Sequence, residues 1–174
     1  MSEDEFYRIK RLPPYVIAEV NAMRAAARAA GEDIIDLGMG NPDLPPPQHV
    51  IDKLCEVAMK PDAHGYSQSK GIPGLRKAQA NYYARRFNFE LDPESEVVVT
   101  MGSKEGLASL ATAITGPGDV VLAPNPSYPI HTFGFIIAGA TIRSVPTTPD
   151  ENYWRALDRA MAFTVPRPSI LVVN

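Results

Sequence analysis

The segment Thr100-Met101-Gly102-Ser103-Lys104-Glu105-Gly106 joins a β-branched run to a helix-periodic one. At such a junction the N–H groups of Ser103 and Lys104 are orphan donors at the positive end of a helix dipole. The turn can therefore hold a phosphate, with the Ser103 hydroxyl as a further contact. The plainer reading is that Ser103 only caps the helix. A Walker loop is excluded, because Gly-x4-Gly-Lys-Ser/Thr is absent. Asn125-Pro126-Ser127-Tyr128-Pro129 follows an apolar strand, and its prolines restrict the backbone so that Tyr128 could lie over a flat ring or simply pack in a core. Tyr66 sits in the polar stretch His64-Gly65-Tyr66-Ser67-Gln68-Ser69, where an aromatic hydroxyl points to contact more than to core. In Gly38-Met39-Gly40-Asn41-Pro42-Asp43, Asp43 stands where a dinucleotide fingerprint needs its third glycine. That loop reads either as a turn or as backbone open to a ligand's carboxylate. His49, His64 and His131 share no metal-ligand spacing, and Ser103 and Ser127 lack the partners of a nucleophilic triad.

These residues need elements to position them. Apolar residues at three- and four-residue spacing predict helices over 14–31, 49–59 and 73–87, the last opening on Pro73 at a position that needs no N–H. Ile34-Ile35-Asp36-Leu37 is a short apolar run that reads as a strand. Beyond Glu96 the rhythm changes. Strands are expected at 97–100, 119–123, 141–145 and 169–173, with helices at 103–115, 127–138 and 152–163. This alternation predicts an α/β layer with a largely parallel sheet. Asp92, Glu94 and Glu96 read as a solvated face, and Cys55 as a small buried hydrophobe in a helix.

Composition excludes several classes. The 174 residues carry 17 Lys+Arg against 20 Asp+Glu, a net charge of −3, which leaves no cation excess for a nucleic-acid partner. One cysteine rules out a disulfide framework. No apolar stretch approaches membrane-spanning length, and the acidic Met1-Ser2-Glu3-Asp4-Glu5 start is no signal peptide, so a cytoplasmic location and no membrane partner are expected. The chain stops at Asn174, on a strand end where α/β proteins place functional loops, and so reads as a fragment.

Taken together, Arg11-Leu12-Pro13-Pro14-Tyr15, Asp36 to Asp43, His64 through Arg76, Val99 to Gly106 and Pro124 to His131 resemble the class I/II, fold-type I aminotransferases that depend on pyridoxal phosphate. The wording is most similar to bacterial glutamate–pyruvate (alanine) aminotransferases, near relatives of the LL-diaminopimelate enzymes. The resemblance implies a three-layer α/β/α large domain with a partial, mostly parallel sheet. Residues 1–45 would be an N-terminal arm and the start of a small domain, and 46–174 the first part of the large cofactor-binding domain. It implies that Ser103 and Lys104 hold the cofactor phosphate, that Tyr128 stacks on the pyridine, and that Tyr66 reaches a neighbouring subunit's cofactor in a homodimer. Gly40 and Gly38 match the backbone near the substrate carboxylate, and Tyr15 a residue of the substrate pocket.

The family's Schiff-base lysine, pyridine-facing aspartate, Asn-Pro-Thr asparagine and carboxylate-binding arginine fall beyond the equivalent of Asn174. No catalytic residue is therefore assigned, and the chain alone is expected to be inactive. Lys70, in Ser67-Gln68-Ser69-Lys70, mimics a catalytic lysine motif at the wrong place. The implied reaction moves an amino group from glutamate or alanine to a 2-keto acid, pyruvate or 2-oxoglutarate. The alternatives are an LL-diaminopimelate or aspartate aminotransferase, a carbon–sulfur lyase or decarboxylase on the same fold, or a non-catalytic anion-binding α/β domain.

Overall fold

The structure, a computed structural model, describes residues 7–174 apart from Met39, Asn41 and Pro149. The acidic start and part of the Gly38–Asp43 loop thus lie outside the described residues. In chain order the elements are α1 (Tyr7–Lys10), α2 (Val16–Ala29), α3 (Gln48–Ala58), a 3-10 turn (Pro61–His64), α4 (Pro73–Phe87), α5 (Ser103–Ile114), β1 (Val120–Asn125), α6 (Ile130–Ala138), β2 (Thr141–Pro146), α7 (Glu151–Phe163) and β3 (Ile170–Leu171). They divide into two compact units, one of Met1–Pro13 with Thr100–Asn174 and one of Pro14–Val99.

In the first unit the sheet order is β2-β1-β3, and both pairings are parallel. Central β1 is buried from Val120 to Pro124, as a strand covered on both faces must be. Its side chains alternate. Val121 and Ala123 join Ala111 of α5, Phe135 of α6, Ala140 and Val172 in one cluster, while Leu122 joins Val145 of β2 and Leu157 and Ala160 of α7 in another. Two helices on one face and one on the other make the expected three layers, with the sheet between them. Arg11 ties the N-terminal segment to this unit by donating to the carbonyls of Gly139 (3.3 Å) and Ala140 (2.9 Å). Asp150 begins α7 by accepting the Asn152 N–H at 2.8 Å.

The Pro14–Val99 unit is helical. The Arg24 guanidinium pairs with Asp36. α4 carries the unit's buried charge: Arg76, 5% exposed, donates from Nε to the Gly71 carbonyl at 3.2 Å, donates to the Pro93 carbonyl, and pairs with Glu94 at 3.0 Å. Arg76→Met would leave the carbonyls of Gly71 and Pro93 without a donor, so urea denaturation should show a loss of about 3 kcal/mol. An unchanged midpoint would mean that water replaces the guanidinium without cost.

Three expectations need correction. Residues 97–100 form no strand. Extended chain becomes a strand only where a neighbour supplies a ladder, and the backbone bond here runs from the Val99 N–H to the Lys70 carbonyl at 3.0 Å. Residues 34–37 likewise have no regular structure. Cys55 is exposed, because α3 contributes no buried residue among those described. The acidic turn is exposed but ordered by its own bonds. Asp92 accepts the Glu94 N–H (2.9 Å) and the Ser95 hydroxyl (2.5 Å), while Glu96 accepts the Asp92 N–H (2.8 Å). The Ser95 hydroxyl bond, then the Glu94 N–H, hold the Asp92 carboxyl below its ordinary pKa. Smaller shifts follow from proline: α6 opens at Ile130, and its first turn closes with the Phe133 N–H on the Pro129 carbonyl at 2.8 Å.

Candidate functional site

The start of α5 is built by a residue to which the sequence reading gave no role. Gly102, at φ +85° and ψ 161°, precedes the helix and offers no side chain to cap it. The first helical bond is the Gly106 N–H to the Gly102 carbonyl at 3.2 Å. The N–H groups of Ser103, Lys104 and Glu105 are the orphan donors of that first turn. Glu105 does not close the turn, because its carboxylate reaches back to the Met101 N–H. Thr100 braces the same turn through its hydroxyl on the Gly102 carbonyl at 3.0 Å. Ser103 is therefore the first helical residue and not the cap, and its hydroxyl stays exposed.

Lys104 and Tyr128 come together although 24 positions separate them. The Lys104 Nζ stands over the Tyr128 ring, 5.8 Å from its centroid. Tyr128 lies between the C-terminal end of β1 and α6, about half exposed, with the Lys104 ammonium over its ring. His131 supports the ring edge-on, with centroids 6.0 Å apart and planes at 77°. Its Nδ1 is buried with no hydrogen-bond partner among the described residues. Sequence reasoning considered His131 only as a metal ligand. Its spacing of three from Tyr128, across a proline that begins a helix, was the available signal.

The other sequence-derived candidates belong to the Pro14–Val99 unit. Tyr15 precedes α2 as its cap residue and is exposed. The Gly38 N–H donates to Asp36 Oδ1 at 3.0 Å, and Gly40 has open space where a Cβ would stand. Tyr66 is fully exposed in the loop between the 3-10 turn and α4. Lys70 is held by the Glu94 carbonyl at 3.2 Å. Ser103, Lys104 and Tyr128 thus share one unit, while Tyr15, Gly38, Gly40 and Tyr66 share the other.

Residues 32–165 match the family described as Aminotransferase class I and II. The chain belongs to that family. It is 61% identical over 171 residues to AatC of Rhizobium meliloti, covering 98% of this chain and 42% of that relative. It is 52% identical over 172 residues to the glutamate-pyruvate aminotransferase AlaC of Escherichia coli, covering 99% of this chain and 42% of that one. Among solved structures, the Thermus thermophilus aspartate aminotransferase with maleate superposes with a TM-score of 0.78 at 31% identity, over 97% of this chain and 44% of that one. The fold is that of the fold-type I aminotransferases, and this chain spans under half the length of the relatives it matches.

The donor set of this family member suits a cofactor that carries both a phosphate and a flat ring: open N–H groups, a hydroxyl and an ammonium beside one aromatic face. If Tyr128 serves that ring, Tyr128→Ala in the complete protein should weaken pyridoxal phosphate binding about five- to tenfold, while Tyr128→Phe costs less than twofold. Absorbance titration measures both. An alanine variant that binds normally would remove Tyr128 from the site.

Proposed function

We propose that the complete protein is a pyridoxal-phosphate-dependent aminotransferase that moves an amino group between glutamate or alanine and pyruvate or 2-oxoglutarate. The observation that carries this reading is the α5 turn, where Gly102 leaves the first N–H groups open and Lys104 stands beside Tyr128. The 52% identity to a glutamate-pyruvate aminotransferase supports the substrate pair. The likeness to an aspartate aminotransferase structure keeps the aspartate branch as the second reading.

When bound, pyridoxal phosphate supplies an electron sink for the pair left when an α-proton departs. This chain's own share of the work is anchoring. The Ser103, Lys104 and Glu105 N–H groups and the Ser103 hydroxyl take the phosphate, and the Lys104 ammonium adds charge. Tyr128, edged by His131, fixes the plane of the pyridine. Gly38 and Gly40 offer backbone to a substrate carboxylate, Tyr15 lines the pocket, and Tyr66 serves the partner subunit's cofactor in a homodimer. The reading takes residues 1–45 as arm and start of the small domain and 46–174 as the first part of the large domain. The chain spans under half the length of its relatives, and on this reading the 174 residues alone are expected to be inactive. No helix among the described residues is long and apolar enough to cross a membrane, and the reading takes the enzyme as cytoplasmic.

The test is a visible absorbance spectrum of the complete protein before and after adding glutamate. A yellow protein bleached by glutamate and restored by pyruvate supports both cofactor and substrates. Yellow without a response to glutamate keeps the cofactor and turns attention to aspartate. A colourless protein that takes up no added pyridoxal phosphate overturns the reading in favour of a simple anion-binding domain. Sedimentation showing a monomer with cofactor bound would remove the role of Tyr66.

A further inference from the structure

A second candidate site lies on the outer side of the sheet, in the unit that contains α5. Among the described residues β2 is the edge strand in the order β2-β1-β3, with no strand on its far rim. Residues alternate along it. Ile142 packs with the α5–α6 cluster and Val145 with the α7 cluster, which directs Arg143 to the α7 side. On α7 the residues Ala156, Arg159, Ala160 and Phe163 recur at positions i, i+3, i+4 and i+7 and form one stripe. Strand and stripe flank an open surface cleft of about 300 Å³, at the small end of ligand pockets, lined by Arg143, Ser144, Pro146, Arg159, Ala160 and Phe163.

Arg143 and Arg159, both exposed, put two cationic groups on this cleft, and no carboxylate is among the described residues that line it. Arg11 and Arg76 hold backbone carbonyls, and Arg24 and Arg76 hold carboxylates. The guanidinium groups of Arg143 and Arg159 have neither an ion pair nor a hydrogen bond among the described residues. Two forked donors beside an apolar floor match an anion with a short hydrophobic body, because each guanidinium can take two oxygens at once and the alanines and Phe163 accept the rest. The α5 turn, Tyr128 and His131 use none of these residues.

We propose that the β2–α7 cleft binds a small organic anion, a phosphate or carboxylate group on a short apolar or aromatic body, between Arg143 and Arg159. The complete protein, saturated with pyridoxal phosphate so that the α5 turn does not compete, is titrated calorimetrically with phenyl phosphate and separately with benzoate. The expected result is saturable binding of at least one probe, weakened about tenfold or more by Arg143→Ala and by Arg159→Ala. Arg143→Lys keeps the charge but loses the fork, and should bind with intermediate strength. Arg167→Ala, on the neighbouring surface cleft, should leave binding unchanged. A response to phenyl phosphate alone identifies a phosphate ligand, and to benzoate alone a carboxylate. The proposal is overturned if neither probe binds at about ten millimolar, or if binding survives both alanine substitutions.

Discussion

Alanine at position 71 is expected to destabilise the Pro14–Val99 unit by about 3 kcal/mol or more. Gly71 has φ +87°, a conformation that L side chains rarely adopt, and a Cβ there would lie 2.4 Å from both Cβ and Cγ2 of Val99. Neither neighbour can easily give way. The Val99 N–H is held by the Lys70 carbonyl at 3.0 Å, and the Gly71 N–H by the Gln68 carbonyl at 2.9 Å. The Gly71 carbonyl also accepts from buried Arg76, so displacement of this backbone would disturb the same bonds that Arg76→Met removes. Urea denaturation followed by circular dichroism gives the loss. A companion experiment separates its two causes: in a Val99→Gly background the clash is gone, and Gly71→Ala should then cost only about 1 kcal/mol, from the backbone alone. Equal costs in the two backgrounds would show that the contact with Val99 contributes nothing.

Gly102→Ala should lower the affinity of the complete protein for pyridoxal phosphate about ten- to a hundredfold, with little effect on the sheet. At φ +85° and ψ 161° the residue occupies a region that is essentially reserved for glycine, where strain is about 1–3 kcal/mol. Beyond its chain neighbours, no atom among the described residues stands within 4 Å of a Cβ built there, so the penalty is conformational. The variant can escape it only by rotating the backbone just before α5, which redirects the first-turn N–H groups away from one common point. Ser103→Ala is the useful contrast, since it removes one hydroxyl and leaves the N–H groups aimed as before; a loss of about fivefold is expected. Cofactor titration by absorbance ranks the two. If Ser103→Ala proved the more damaging, anchoring would rest on the side chain and the helix start would be incidental.

These two glycines also mark the limit of sequence reading. Helix extents were legible to within a few residues for 16–29, 48–58, 73–87, 103–114 and 151–163, because periodicity, prolines and caps are short-range signals. β1 was legible for a related reason: its short apolar run, bounded by turn residues, fits a strand covered on both sides. The order and spacing of several short motifs were enough to reveal the family. Residues 97–100 carry as strong a β-branched signal as β1, yet they have no ladder here, because pairing depends on a partner distant in the chain. The exposure of Cys55 and the burial of Arg76 were equally invisible, since burial is decided by what packs against a residue and not by its type.

The sequence by itself determined the α/β class, the helix limits and the family, all of which rest on residue types and their near-neighbour spacing. Only the tertiary structure decided that Lys104 stands over Tyr128, that His131 edges that ring, and that Arg143 and Arg159 share one cleft. Each of these pairings depends on how the chain between its members turns, and that depends on which apolar faces find one another across the sheet.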